Sequence, residues 1–442
     1  MKRIMGRVRT DAASGSNGAG PAGASPSMEE LARQTPASRD RFMDFLRAAS
    51  ILAVVFGHWF IGIISWRNGV IGDTSAVGVT KGLWFGTWLL QVMPIFFFVG
   101  GFSNMVAYDA FVRRGRSTGA FIRSRLERLL RPSLVFVGVW AVVQMGLHLA
   151  NVGRPTGPAL WGHTHLLRGV RPPGATVPFG PLWFLAVYMV VVSVSPWTIR
   201  LHRRYRLWVP AAMIAGAVVA DGVGFAGGAA GVRWFNVAFV LMLPHQIGHF
   251  YADGSLRRLS RRSYWLMAGV GLSMMLVLTN PPLFRLFGDV RYKWFPGIGY
   301  YPKSLLGTDV ERVSNAYPPT LVYLFAGIWA IGAVMLLRPA LTRWLQRARA
   351  WKATIAVNSM VMTLFLWHMT AYLLVILALW PLGLGHERTG TIRWWIERPV
   401  WVVLPAAVLA GLVAVFARFE RPRVRPSRVP VRVTGSVRGG PS

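Results

Sequence analysis

The chain has 442 residues, 53% of them hydrophobic and only 15% charged, yet its formal net charge is +33. In a soluble protein that excess would point to nucleic acid. Here the arginines fall in short clusters between long apolar runs, as in the cytoplasmic loops of a polytopic membrane protein, so no nucleic-acid partner is implied. The absence of cysteine excludes disulfides, thiolate metal sites and a thiol nucleophile.

Residues 1–40 read as a disordered basic cytoplasmic tail, because the Gly, Ala, Ser and Pro of 11–27 cannot bury enough apolar surface to fold. The first long apolar run begins near Ala48, too far into the chain for the hydrophobic region of a cleaved signal, so the first helix is expected to serve as the insertion signal. Asp44-Phe45-Leu46-Arg47 opens that helix and Gly57-His58-Trp59 lies within it. Eleven helical steps from Arg47 to His58 close to within about 20° of whole turns and rise about 16 Å. Arg47 and His58 therefore share a face, with His58 near mid-bilayer if Arg47 lies at the surface. Asp44, one turn before Arg47, can pair with its guanidinium and fix its direction. Ionisable side chains inside a membrane are costly and read as functional; the competing reading of His58 is a packed histidine satisfied by a carbonyl or a serine.

Ten apolar runs are long enough to cross, centred near Val55, Ile95, Val139, Val190, Ile214, Val240, Met274, Phe325, Leu366 and Val408. With the N-terminus inside, 35 of the 49 Lys and Arg fall in the inner connections and 14 in the outer ones. The expected fold is therefore all-α: a polytopic transmembrane helical bundle of about ten spans, N-in and C-in, in the cytoplasmic membrane. One domain, 41–418, would sit in the bilayer, with 419–442 as a second basic cytoplasmic tail and no internal repeat of the transporter kind.

In chain order, Met93-Pro94-Ile95-Phe96-Phe97-Phe98-Val99-Gly100-Gly101-Phe102 forms an aromatic-glycine block. Arg113-Arg114-Gly115-Arg116 and then Arg123, Arg125, Arg128 and Arg131 gather before the third run. The outer segments 151–180, with Trp161, His163 and His165, and 281–317, with Tyr292, Trp294, Tyr300 and Tyr301, are aromatic and rich in proline. They suit the apolar faces of sugars, or equally an interfacial aromatic belt. Leu182-Trp183-Phe184-Leu185 starts the fourth run. His245 and His249, at i and i+4 in the sixth, have a metal-chelating spacing, but with no carboxylate or cysteine in that run they read as lining of an acceptor cavity; no metal is expected. Phe365-Leu366-Trp367-His368 places a further histidine in the ninth.

These blocks, in this order over roughly residues 40–375, resemble the membrane acyltransferase-3 family, whose first helix carries Arg, ten residues, then His, here Arg47 and His58. Met93–Phe102 is similar to the family's FFxxSGF block, with Gly100 where serine is usual, and Arg125-Leu126-Glu127-Arg128-Leu129-Leu130-Arg131-Pro132 to its basic segment. The resemblance implies His58 as the catalytic candidate, backed by Arg47 and Asp44. It also implies transfer of an acyl group, acetyl in the first instance, from cytoplasmic acyl-coenzyme A to a hydroxyl of an extracytoplasmic or membrane-associated acceptor, expected to be a carbohydrate or glycolipid of a bacterial cell envelope.

Guanidiniums stay charged and bind phosphates in bidentate geometry, so Arg47, Arg125, Arg128 and Arg131, the last three on one helical face, are the candidate coenzyme A dock; simple topological marking is the alternative. Trp183, His245, His249 and His368 are the candidate acceptor-binding residues. His58 would act as general base or as an acyl-accepting nucleophile, with Asn104, Trp183 or His368 as possible oxyanion donors. A transporter or flippase relaying protons through His58, His245, His249 and His368 is the alternative from another class.

Overall fold

The computed structural model describes residues 39–67, 70–80, 82–151, 177–279, 301–306 and 314–420. Eleven helices dominate this part of the chain: α1 (Arg41–Ile61), α2 (Met93–Arg113), α3 (Thr118–Asn151), α4 (Leu182–Tyr205), α5 (Trp208–Ala226), α6 (Asn236–Ala252), α7 (Arg261–Thr279), α8 (Leu321–Trp344), α9 (Ala348–Ser359), α10 (Val361–Leu379) and α11 (Ile392–Phe416). An antiparallel hairpin, β1 (Gly62–Arg67) and β2 (Val70–Ser75), leaves the end of α1.

Each of the ten expected centres lies in a helix. Among the described residues, seven stretches are long and apolar enough to cross a membrane: Arg41–Ile61, Trp84–Arg113, Leu182–Tyr205, Trp208–Ala226, Leu321–Trp344, Val361–Leu382 and Ile392–Phe419. Of the other three expected centres, α6 has only 17 residues and α7 starts on Arg261 and Arg262, whereas α3 carries its charges before Pro132 and is apolar and uncharged from there on. The chain is an all-α polytopic integral membrane protein. The tails and most of the two aromatic outer segments fall outside the described residues; Tyr301 alone of the aromatic residues singled out there is described.

Close helix contacts rest on glycine. A Cβ on Gly101 of α2 would lie 1.9 Å from the His245 carbonyl oxygen, and one on Gly248 of α6 would lie 2.2 Å from the Phe98 carbonyl oxygen. Neither position tolerates a side chain, because between apolar helices in lipid the backbones themselves must pack. This contact sets α6 against α2 and places Asn104 beside His245. A second core joins α1, α3, α10 and α11 through Val55, Trp59, Phe136, Trp140, Trp367 and Trp401.

One end of the bundle is tied down below α1. Asp40 caps α1, its carboxylate accepting from the Met43 amide at 3.1 Å, and also accepts from the Tyr251 hydroxyl at 2.8 Å. The short amphipathic α9 lies beneath, where Asn358 donates to the Asp44 carbonyl at 2.8 Å and the Arg41 guanidinium stacks 4.9 Å from the Trp351 ring. The Asp44 and Arg47 end of α1 is thus held rigidly.

Candidate functional site

α1 is unbroken from Arg41 to Ile61, so Arg47 and His58 stand on one rod about 16 Å apart along its axis. At the far end, Nδ1 of His58 lies 3.1 Å from Nε2 of His368 in α10, and the rings tilt by 32° with centroids 5.1 Å apart. His368 is fully buried, its Nδ1 2.7 Å from the Phe365 carbonyl oxygen, whereas His58 is half-buried. The Trp59 indole clamps the two helices together by donating to the His368 carbonyl at 3.1 Å.

The start of α10 is capped from the far end of the chain. Glu420 accepts from the backbone amides of Met362 and Thr363, each at 3.0 Å, and from the Thr363 hydroxyl at 2.9 Å. A carboxylate at a helix N-terminus satisfies its open N–H groups and complements its dipole. Burial pushes the Glu420 carboxyl up from its ordinary range, against these hydrogen bonds and the Arg128 charge, which hold it down.

At the near end, a guanidinium N–H of Arg47 donates to the Ser103 hydroxyl at 2.5 Å. The expected pairing with Asp44 is present at 3.5 Å, but Arg39 holds Asp44 more closely, at 2.5 Å. Arg125 reaches the same place from α3, donating to the Asn104 side-chain oxygen at 3.0 Å and to the Ser103 carbonyl at 3.3 Å. Arg128 is exposed and close enough to act electrostatically on Arg47 and Arg125; Arg131, half-buried, continues the row one turn on. Ser103, one turn beyond Gly100, supplies a hydroxyl near the aromatic-glycine block. The guanidiniums of Arg39 and Arg47 pair with Asp44, and those of Arg125 and Arg128 lie close to Arg47, with Glu420 as a second carboxylate within reach of Arg128. That leaves a net positive site with donor capacity for an anion.

His245 and His249 belong with this lower cluster rather than with His58. Asn104 donates its side-chain N–H to Nε2 of His245 at 3.2 Å. Beyond it, Nδ1 of His249 lies 3.1 Å from the Gln246 oxygen, the Gln246 nitrogen 2.8 Å from Nδ1 of His202, and Nε2 of His202 3.2 Å from Asp253. Both histidines of α6 are fully buried. No group of three or more metal-ligating side chains converges among the described residues.

Trp183, at the start of α4, packs edge-on to Tyr317 at 6.5 Å, and Trp234 meets the same Tyr317 at 4.6 Å. A relay of rings, Phe184 to Phe365 at 5.7 Å and Phe365 to His368 at 6.2 Å, connects this aromatic group to the histidine pair. Tyr301, by contrast, is buried with its hydroxyl donating to Asp221 at 3.0 Å, so it is a structural tie rather than a sugar platform.

Two polar groups near the histidine pair lie outside the sequence-based set. Arg398 of α11, 2% exposed, donates to the carbonyl of Gly62, one helical turn beyond His58, at 3.0 Å, and the Tyr372 hydroxyl lies where a Cβ on Gly62 would come within 2.9 Å of it. Their signal was present: Glu397-Arg398 is an ionisable pair inside an apolar run.

The model of the acyltransferase-3 family, described as an acyltransferase domain, matches residues 40–418. The chain belongs to that family of membrane enzymes that transfer acyl groups. Neither the curated proteins nor the solved structures provide a match.

Proposed function

We propose that this protein is an acyl-coenzyme A-dependent O-acyltransferase of the cytoplasmic membrane, transferring an acyl group, acetyl in the first instance, to a hydroxyl of an extracytoplasmic or membrane-associated carbohydrate or glycoconjugate. The observation that carries the reading is the placement, on one unbroken helix, of a half-buried imidazole about 16 Å above a cluster of guanidiniums. That rise suits a donor whose phosphates rest on Arg47, Arg125 and Arg128 while its thioester extends along α1 toward His58.

The His58 imidazole takes the proton of the acceptor hydroxyl as its oxygen attacks the thioester carbonyl carbon. The tetrahedral intermediate then expels the thiolate as the carbon–sulfur bond breaks, and the imidazolium returns the proton, yielding an ester and free coenzyme A. Of the three oxyanion donors considered, Asn104 has both amide groups engaged and His368 both ring nitrogens. The Trp183 indole N–H is separated from His368 by the Phe184 and Phe365 rings, so Arg398 and Tyr372, one turn beyond His58, are the donors better placed for an oxyanion.

The transporter reading needs one histidine chain. His58 with His368, and His245 with His249, instead form two groups with no hydrogen bond or ring contact between them among the described residues. Purified protein incubated with labelled acetyl-coenzyme A and a hydroxyl acceptor is expected to release coenzyme A in step with ester formation; a transporter releases none.

Topology gives a separate check. In this cysteine-free chain, Gln346→Cys, beside the Arg41 end of α1, is expected to react with an impermeant maleimide only after cells are opened, whereas Ala229→Cys reacts from outside intact cells. The reverse pattern inverts the donor and acceptor faces.

A further inference from the structure

We infer that His368 is a positioning residue that fixes the tautomer of His58, so that the proton of His58 resides on Nδ1 and the nitrogen presented to the substrates is Nε2. The inference rests on the proposed role of His58 and names the reacting atom that the role leaves open.

The argument is one of donors and acceptors. A backbone carbonyl can only accept, so at 2.7 Å from the Phe365 oxygen Nδ1 of His368 must carry its proton. In the neutral ring Nε2 of His368 is then a bare acceptor. It faces Nδ1 of His58 at 3.1 Å, which must therefore be the donor, and the Val54 carbonyl one turn back on α1 shares that single ring proton. The lone pair of His58 is left on Nε2, on the side of the ring turned away from His368. No ion pair joins either ring to a carboxylate among the described residues, so an imidazolium at His368, which would reverse the order, has no counter-charge. The supporting groups are stiff: His368 is fully buried, Trp59 grips its carbonyl, and Glu420 caps its helix.

The chain Phe365 carbonyl, His368, His58 thus does for an imidazole what a buried carboxylate does in other base-catalysed sites, orienting the ring and choosing its tautomer, but without adding charge inside the membrane. His368 touches no substrate in this arrangement. It is a positioning group rather than a ligand of the acceptor.

Two variants and one spectrum test the inference. In ¹⁵N-histidine-labelled protein, the His58 signals are those lost in His58→Gln. The bare nitrogen is expected to be the one coupled strongly to both ring carbon-bound protons, as Nε2 is; coupling to only one proton would assign the lone pair to Nδ1 and overturn the proposal in the wild type alone.

His368→Met removes the acceptor and is expected to lower kcat about 10- to 100-fold, the size of a lost outer-shell partner, with the KM for acetyl-coenzyme A within about twofold and His58 in mixed tautomers. His368→Gln can donate to Phe365 and present an oxygen to His58, and is expected to recover most of kcat. An unchanged kcat in His368→Met, or an unaltered His58 tautomer in that variant, overturns the inference while leaving His58 as the base. Full turnover in His58→Gln instead removes the catalytic role of His58 and leaves the tautomer to be judged from the spectrum.

Discussion

His58→Ala is expected to abolish acyl transfer while the protein still inserts, extracts in detergent and migrates as a monodisperse species. A general base contributes on the order of 10²–10⁴ in rate, and a nucleophilic histidine more, because the covalent route disappears altogether. The structural cost is small by comparison. The variant loses the imidazole's contacts with His368 and with the Val54 backbone and leaves Nε2 of His368 without its donor, a penalty on the order of 1–3 kcal/mol. The half-buried position lets water replace the missing ring, and the clamp from Trp59 to the His368 carbonyl survives. Coenzyme A release and thermal unfolding measured on the same preparation separate the two effects. Turnover within tenfold of wild type would remove His58 from the chemistry, and loss of both activity and folding would make it a packing residue. The apparent KM for the donor should hardly move in any residual activity, since the proposed dock for its phosphates lies at the other end of α1.

What the sequence discloses of this site is what helical periodicity can carry. Arg47 and His58 share a helix, so their spacing is legible from eleven steps alone, and the charge asymmetry across apolar runs points to a polytopic bundle. The pairing of His58 with His368 spans 310 residues, and no local pattern encodes it. The same limit explains why His245 and His249 read as lining of the acceptor cavity: a histidine in an apolar run has no depth until α6 is packed against α2, and the glycines that set this packing, Gly101 and Gly248, announce closeness but not the partner. Asp44 was legible as an ion-pair partner, but its closer mate, Arg39, precedes the helix and follows no i, i+4 rule. The hairpin of β1 and β2 flanks Asn68-Gly69, a recognised hairpin signal that counting apolar runs passes over. Short α9 escapes the same count because it is amphipathic and lies below the span threshold.

The arginine cluster carries the second large effect. Arg47→Gln is expected to raise the KM for acetyl-coenzyme A about 10- to 100-fold, the equivalent of losing one charge-assisted hydrogen bond of roughly 1.5–3 kcal/mol. Gln removes the charge but ends two bonds short of the Nη2 that meets Ser103, so Ser103→Ala, which loses that contact alone, serves as the control. Arg128→Gln should act in the same direction but more weakly, because Arg128 is exposed and its influence is screened; its effect should fade further as ionic strength rises. Arg125 is the least suitable probe, since it satisfies both Asn104 and the Ser103 carbonyl, and its loss would disturb the hydrogen bond to His245 along with the charge. The decisive comparison uses a second donor, acetyl-pantetheine, which has the thioester but none of the nucleotide phosphates. If the guanidiniums bind phosphate, Arg47→Gln shifts the KM for acetyl-coenzyme A far more than that for acetyl-pantetheine, and wild-type protein itself prefers the former. Equal shifts for both donors would mean that the arginines mark the cytoplasmic face and fix α1, while the donor is held elsewhere. Asp44→Asn refines the same test. It removes the carboxylate paired with Arg47 and should leave donor binding unchanged or tighter, because the field over Arg47 becomes more positive, at the cost of a looser Arg39 and a less well anchored start of α1.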